Sequence, residues 1–354
     1  MSRQWQWSVL LFVAAGVCLA GDYVGPEACR LCHPAEFAAQ FNSRHNSALR
    51  PIVDTPVPAL LAESPVRERS GVAFEYTIGA HDLLLGVTQG RKRIDASLHW
   101  AFGSGAQAYT PVGFRNGSYF EHRVSFYTSA GRPGRTMGHP GEASRSLESA
   151  LGLVQDAETI YRCFNCHATG VRPGPDLTDM RAGVSCERCH GPGTAHLNAT
   201  GAGRPRTELR RSVVAFSGLT AGESVRFCAE CHRSPSFPDS AAPEAKDPMS
   251  IRFQPVGLMA SSCFQKSGRL SCVTCHNPHE NASKEPAFYV AKCVGCHAAA
   301  SAIVRSTACG LSKRQNCLPC HMQRSAPAEF LSFTDHRIRV YDKSSRNSTR
   351  NSTR

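Results

Sequence analysis

The sequence Cys-x-x-Cys-His occurs seven times in this chain of 354 residues. The copies are Cys29/Cys32/His33, Cys163/Cys166/His167, Cys186/Cys189/His190, Cys228/Cys231/His232, Cys272/Cys275/His276, Cys293/Cys296/His297 and Cys317/Cys320/His321. Shuffling the same composition would give roughly 0.03 copies per chain, so the repetition is chemical in origin. Two thiols three positions apart reach the two vinyl groups on one edge of a porphyrin and form thioethers, and the histidine that follows folds beneath the ring to bind iron. The spacing therefore predicts seven covalently attached c-type haems. A tetrahedral zinc site uses paired Cys-x-x-Cys units but requires no histidine after each second cysteine. A disulfide oxidoreductase carries the motif once, on a βαβ frame.

That density of haem dictates the kind of fold. From residue 146 to 340 the chain is rich in Gly, Pro and Cys and poor in amphipathic periodicity. The expectation is a multihaem cytochrome c fold, with short helices and loops wrapped around stacked haems whose apolar faces serve as the core. Residues 21–62 form an N-terminal segment with one motif, including a helical-looking stretch from Pro34 to Leu49. Residues 63–145 hold no cysteine. There, apolar and polar residues alternate in segments such as Val72–Ile78 and Ile94–Phe102, punctuated by Gly79, Gly90, Gly103 and Gly117. That is the pattern of a small antiparallel β-rich insert after the first haem. Residues 341–354, with a tandem Asn-Ser-Thr-Arg, read as a disordered polar tail.

Residues 1–20 read as a secretory signal: Arg3, an apolar run from Val9 to Ala20, and small residues for cleavage near Ala20. The chain is expected to be periplasmic or otherwise exported. Three cysteines lie outside the motifs. Cys18 leaves with the signal; Cys263 and Cys309 are either a disulfide or two separate buried thiols.

The formal charge of +12 would suggest an anionic polymer as partner. Seven haems, however, carry about fourteen propionates against about seven ferric charges, which brings the total to between roughly +5 and −2. No basic stripe with interleaved aromatics appears, so nucleic acid is not an expected partner. The expected partners are redox proteins, with a membrane-bound electron-transfer complex as one option.

Fifteen histidines are present, seven of them proximal. A low-spin iron needs a sixth ligand, and eight histidines are available for it. By context the distal candidates are His45, His196, His279 and His336, followed by His139. His99 and His122 lie in strand-like segments, where a sheet-face role competes, and His81 sits in a turn.

Several of these segments resemble one family. Tyr23-Val-Gly-Pro-Glu-Ala-Cys29-Arg-Leu-Cys32-His33 followed by Ser43-Arg-His45, Cys186-Glu-Arg-Cys189-His190-Gly-Pro-Gly-Thr-Ala-His196, Cys272-Val-Thr-Cys275-His276-Asn-Pro-His279, and Cys317-Leu-Pro-Cys320-His321 with Asp335-His336-Arg337 are similar to the multihaem cytochromes. That superfamily includes the tetrahaem cytochrome that accepts electrons from hydroxylamine oxidoreductase. The resemblance implies that downstream histidines ligate haems of other motifs. Electron transfer along a chain of mostly bis-histidine haems is the expected activity. The alternative is a reductase or oxidoreductase of a small nitrogen or sulfur compound at a five-coordinate haem. No Cys-x-x-Cys-Lys variant is present.

Overall fold

The computed structural model describes residues 23–173, 177, 179–232, 248–297 and 317–341. The signal segment, Cys18, Cys309 and the tail from residue 342 lie outside the described residues. None of the described helices is long and apolar enough to cross a membrane.

Ten strands join in an antiparallel sheet: β1 (Leu49–Pro51), β2 (Val66–Arg67), β3 (Ala73–Ile78), β4 (Leu83–Gln89), β5 (Lys92–Phe102), β6 (Ala108–Arg115), β7 (Ser118–His122), β8 (Val124–Tyr127), β9 (Arg132–Arg135) and β10 (Gly152–Val154). The main path runs β10-β7-β6-β5-β4-β3-β2; β1 pairs with β5, and β8 links β6 to β9. The sheet thus takes in residues on both sides of the stretch 63–145. Local chemistry sets its hairpins. Between β6 and β7, Asn116 and Gly117 both adopt positive φ (52° and 79°), as a two-residue turn matched to strand twist requires. Period-two burial in β4 sends Leu83, Leu85 and Val87 inward and Leu84 outward.

One irregularity decides which way the sheet faces. A bulge between Leu98 and Trp100 interrupts the β5–β6 register. Leu98 and Ala101 point into the larger apolar cluster, with Phe74, Val124 and Leu147. Trp100 and Phe102, shifted by the extra residue, pack instead on a second cluster around Leu49, Ile160 and Phe164. A bulge re-aims side chains in this way because it adds one residue without a cross-strand partner.

The second cluster receives the helix Ala157–His167. Asp156 caps it, its carboxylate accepting the Thr159 N–H at 2.7 Å. Ile160 and Phe164, four apart, form its buried face. Trp100, Phe102 and Tyr119 meet the Phe164 ring at centroid distances of 5.8, 5.0 and 5.8 Å. The sheet therefore fixes the helix that ends in the second motif.

Among the described residues, both apolar clusters draw on residues 49–182. Farther along, buried apolar side chains such as Val225, Val256 and Val290 belong to neither. The helices there are short, and several end on a motif: Cys186–His190, Ala221–His232, Pro286–His297 and Leu318–His321. Near the N-terminus, helix is kept only over Pro34–Phe41, shorter than the stretch to Leu49 that the sequence suggests. The side-chain amides of Asn42 and Asn46 donate to the Ala38 and Phe41 carbonyls and compete with further helical bonds. His45 consequently lies in a turn.

Candidate haem sites

The second, fourth and sixth motifs close longer helices, the third, fifth and seventh lie in helices of four or five residues, and the first is a turn that follows the helix Pro26–Cys29. The histidine N–H donates to the carbonyl of the first cysteine in the first, fifth and seventh motifs, at 2.9, 2.9 and 3.0 Å. That bond sets the two sulfurs on one side of the turn with the imidazole following them.

The histidine rings are oriented by backbone carbonyls. Nδ1 of His167 lies 2.9 Å from the Ala48 carbonyl, that of His190 2.9 Å from Val214, and that of His321 3.0 Å from Arg339. Nδ1 of His45 lies 3.1 Å from the Pro278 carbonyl, that of His196 3.1 Å from Leu209, and that of His336 2.9 Å from Thr334. A carbonyl only accepts, so the proton belongs on Nδ1 and the Nε2 lone pair is left for a metal. Backbone groups supply these partners, so no residue type in the sequence announces them.

Three motif histidines face a histidine from elsewhere in the chain. His232 and His45 stand with ring centroids 6.0 Å apart and planes at 77°. His190 and His279 are 6.1 Å apart at 9°. His276 and His336 are 6.3 Å apart at 36°. A metal–imidazole bond of about 2 Å on each side, plus about 1.1 Å from each nitrogen to its ring centre, places two axial imidazoles roughly 6.2 Å apart. The three spacings fit one iron between each pair. Burial, then the imidazole of His45, pushes the His232 pKa down to about 4, while Gln254 hydrogen-bonds its ring. Burial also lowers His276, His279 and His336, the last two with help from neighbouring imidazoles (His190 and His276). Rings held neutral in this way are in the form that ligates iron.

The cysteines of different motifs also converge. The Cys29 and Cys186 thiols are in hydrogen-bond contact, as are Cys166 with Cys231 and Cys228 with Cys272. These sulfurs stand where the thioether sulfurs would be. Motif one thus meets three, two meets four, and four meets five.

Burial is uneven among the attachment cysteines. Cys32 and Cys296 are exposed, whereas the other motif cysteines are partly buried. The sixth motif shows the reason. It closes the helix Pro286–His297, whose one buried residue is Val290. Cys293, three residues on, lies near the Val290 face and is partly covered; Cys296, three residues further, is turned off that face, and His297, the last residue of the helix, is exposed. Cys296 therefore draws little enclosure from the polypeptide around it. Cys263, the described cysteine outside the motifs, is half-buried near Cys296; burial, then the charge of Cys296, raises its pKa.

Other histidines are engaged differently. His139 directs Nε2 to Glu121 Oε2 at 3.1 Å, and its Nδ1 is buried without a partner. His122 uses both nitrogens, on the Tyr76 hydroxyl at 2.8 Å and the Leu151 carbonyl at 2.7 Å. His99 sits at the β5 bulge and lines a cavity of about 350 Å³ with His81, Trp100 and Tyr119. His196 lies on the helix Thr194–Gly201, its Nδ1 also 3.1 Å from the Ser212 hydroxyl.

Residues 135–191, which hold the second and third motifs, match the family model of cytochrome c554 and c-prime. The match supports a c-type cytochrome, with covalently bound haem c and its iron as cofactor and electron transport as the role. Neither a curated protein nor a solved structure matches the chain.

Proposed function

We propose that the protein is an exported, seven-haem member of the multihaem cytochromes that carries electrons between redox partner proteins. The observation that carries this reading is the set of three facing histidine pairs, each joining a motif histidine to one from another part of the chain at 6.0 to 6.3 Å. Haem c, when bound, supplies a one-electron ferric–ferrous couple. The fourteen motif cysteines, the exposed Cys32 and Cys296 included, would hold the seven groups, with His33, His167, His190, His232, His276, His297 and His321 as proximal ligands. His45, His279 and His336 would be the sixth ligands of the fourth, third and fifth sites. Carbonyls that fix Nδ1 of His45 and of His336 keep those two rings oriented in both redox states, which limits reorganisation on electron exchange. The cysteine contacts between motifs favour exchange from one site to the next. The apolar run at the N-terminus supports export.

The test is a pyridine haemochrome count on the purified protein with an electron paramagnetic resonance (EPR) spectrum of its oxidised form. Seven haems and low-spin signals from paired imidazoles are expected. A count well below seven would refute the reading.

A second reading rests on histidine arithmetic. Of the eight histidines outside the motifs, three face motif rings and His122 and His139 bond protein groups through Nε2. His81, His99 and His196 are left for the four irons at His33, His167, His297 and His321. At least one iron then lacks a histidine as sixth ligand. An open iron is what reduction or oxidation of a small nitrogen or sulfur compound needs. A high-spin component in the same spectrum would favour this enzymatic role.

A further inference from the structure

The two residues between the cysteines of the third motif, Glu187 and Arg188, both leave their own motif and reach others. Arg188 Nε donates to the Asn165 carbonyl at 2.9 Å. Its Nη2 lies 3.6 Å from Cys231 Sγ and 3.8 Å from Glu230 Oε2. Asn165, Arg188 and Glu230 occupy the same place, just before the second cysteine, in motifs two, three and four. One guanidinium therefore joins three motifs through equivalent positions. Its side chain is only 18% exposed, so its charge is weakly screened by solvent.

Glu187 is the other arm. It is 4% exposed, and its carboxylate accepts three backbone N–H bonds, from Val24, Gly25 and Gly193, each at 2.8 Å. Val24 and Gly25 lead into the first motif. The approach is tight: a Cβ at Gly193 would stand 2.7 Å from Val24 Cγ2. The Cys29–Cys186 contact lies beside this joint.

We propose that Arg188 is a positioning residue that locks motifs two, three and four into one unit and raises the reduction potential of the iron at His232 through its charge beside Cys231. The inference rests on the reading of the protein as a haem-loaded electron carrier. A fixed cation near a site favours the ferrous form, which carries one positive charge fewer than the ferric. A planar fork is suited to bridging a carbonyl, a sulfur and a carboxylate at once, whereas an ammonium keeps the charge and loses the fork.

The test uses the intact haem-loaded protein. Arg188→Gln, Arg188→Lys and Glu230→Gln would be titrated with dithionite, following the EPR signal that His45→Ala abolishes. Unit charges about 10 Å apart in a medium of effective dielectric about 20 alter an equilibrium roughly tenfold. Arg188→Gln should therefore make reduction of that iron about tenfold less favourable, or about 59 mV lower. Arg188→Lys should retain most of the potential while lowering the thermal midpoint. Glu230→Gln should shift the potential upward, and by less, because this carboxylate is 57% exposed. A purely structural residue would not give opposite shifts for the arginine and glutamate variants. A full complement of seven haems with unmoved potentials in all three variants would overturn the role of Arg188 alone. A wild-type count below seven would overturn the underlying reading as well.

Discussion

The three facing histidine pairs differ most in the angle between their rings, and that angle can be read spectroscopically. Each imidazole donates into the iron d orbital perpendicular to its own plane. When the two planes are nearly perpendicular, as at 77° for His45 and His232, the two donor-accepting orbitals stay close in energy and the low-spin ferric signal is strongly anisotropic. When the planes are nearly parallel, as at 9° for His190 and His279, one orbital is raised above the other and the signal is rhombic. The pair at 36°, His276 and His336, should fall between. His45→Ala should therefore remove the most anisotropic component, about one spin in seven, and create one high-spin iron in its place. His279→Ala should remove a rhombic component of the same size. Continuous-wave spectra of oxidised protein, integrated against a copper standard and normalised to the haem count, measure both. If His45→Ala removes a rhombic signal, or leaves all low-spin signals intact, the pairing of His45 with His232 is refuted.

Further outcomes concern stability. Phe164→Ala removes a fully buried ring that packs against Trp100, Phe102 and Tyr119 and should cost about 3–5 kcal/mol, measured by denaturant unfolding followed through Trp fluorescence. Arg123→Ala leaves Glu68 half of a pair whose side chains are only 6% and 16% exposed, and should cost about 3–5 kcal/mol, whereas Arg123→Met paired with Glu68→Leu should recover most of it. Acid should weaken the sheet in two stages. Burial holds His122 at a pKa of about 4, below its ordinary 6.5. The unfolded chain therefore takes up a proton that the fold refuses, and about 3 kcal/mol present above pH 6.5 is lost as pH falls to about 4. Burial would raise Glu68, but the Ser144 N–H and Arg123 outweigh it and hold the group below its ordinary 4.5, so its contribution is lost at still lower pH. Unfolding free energies at pH 7 and pH 4.5 for wild type and His122→Gln check the first stage: the variant should lose less on acidification.

The parts of this architecture visible in the sequence are those whose determinants are local. A Cys-x-x-Cys-His turn is specified by five consecutive residues, and the β6–β7 hairpin by Asn116-Gly117 within alternating strands. The bulge beside His99 is not visible, because period two alone would send Trp100 to the same face as Leu98. The helix that ends at Phe41 rather than near Leu49 shows two asparagine amides overriding an apolar pattern. The exposure of Cys296 beside a partly covered Cys293 is likewise hidden, since the motif reads the same wherever its helix happens to dock. Ligand pairing is the least legible element. His45 and His232 are far apart in sequence, and only the closed fold brings them to 6.0 Å. His139, between Gly138 and Pro140, is a distal candidate by its sequence context, yet it is buried and an acceptor on a strand, Glu121, takes its Nε2. Glu187 and Arg188 are ordinary charged residues in sequence. What marks them is the burial of Glu187 and the near-burial of Arg188.

Both apolar clusters end by residue 182, and this has a consequence for biogenesis. The sheet and the helix docked on it hold both clusters of buried apolar side chains, the kind of surface that drives a polypeptide to order by itself. The described segments beyond hold no such cluster, so in the haem-loaded protein proposed above their ordering would be coupled to attachment of the prosthetic groups, as in small metal-nucleated domains. Maturation and folding then become a single process with a direction. The sheet forms a platform beside the second motif, and each later attachment adds a layer to what is already in place. The machinery that attaches the groups would thus meet an open, extended substrate for most of the motifs and a partly structured one for the second.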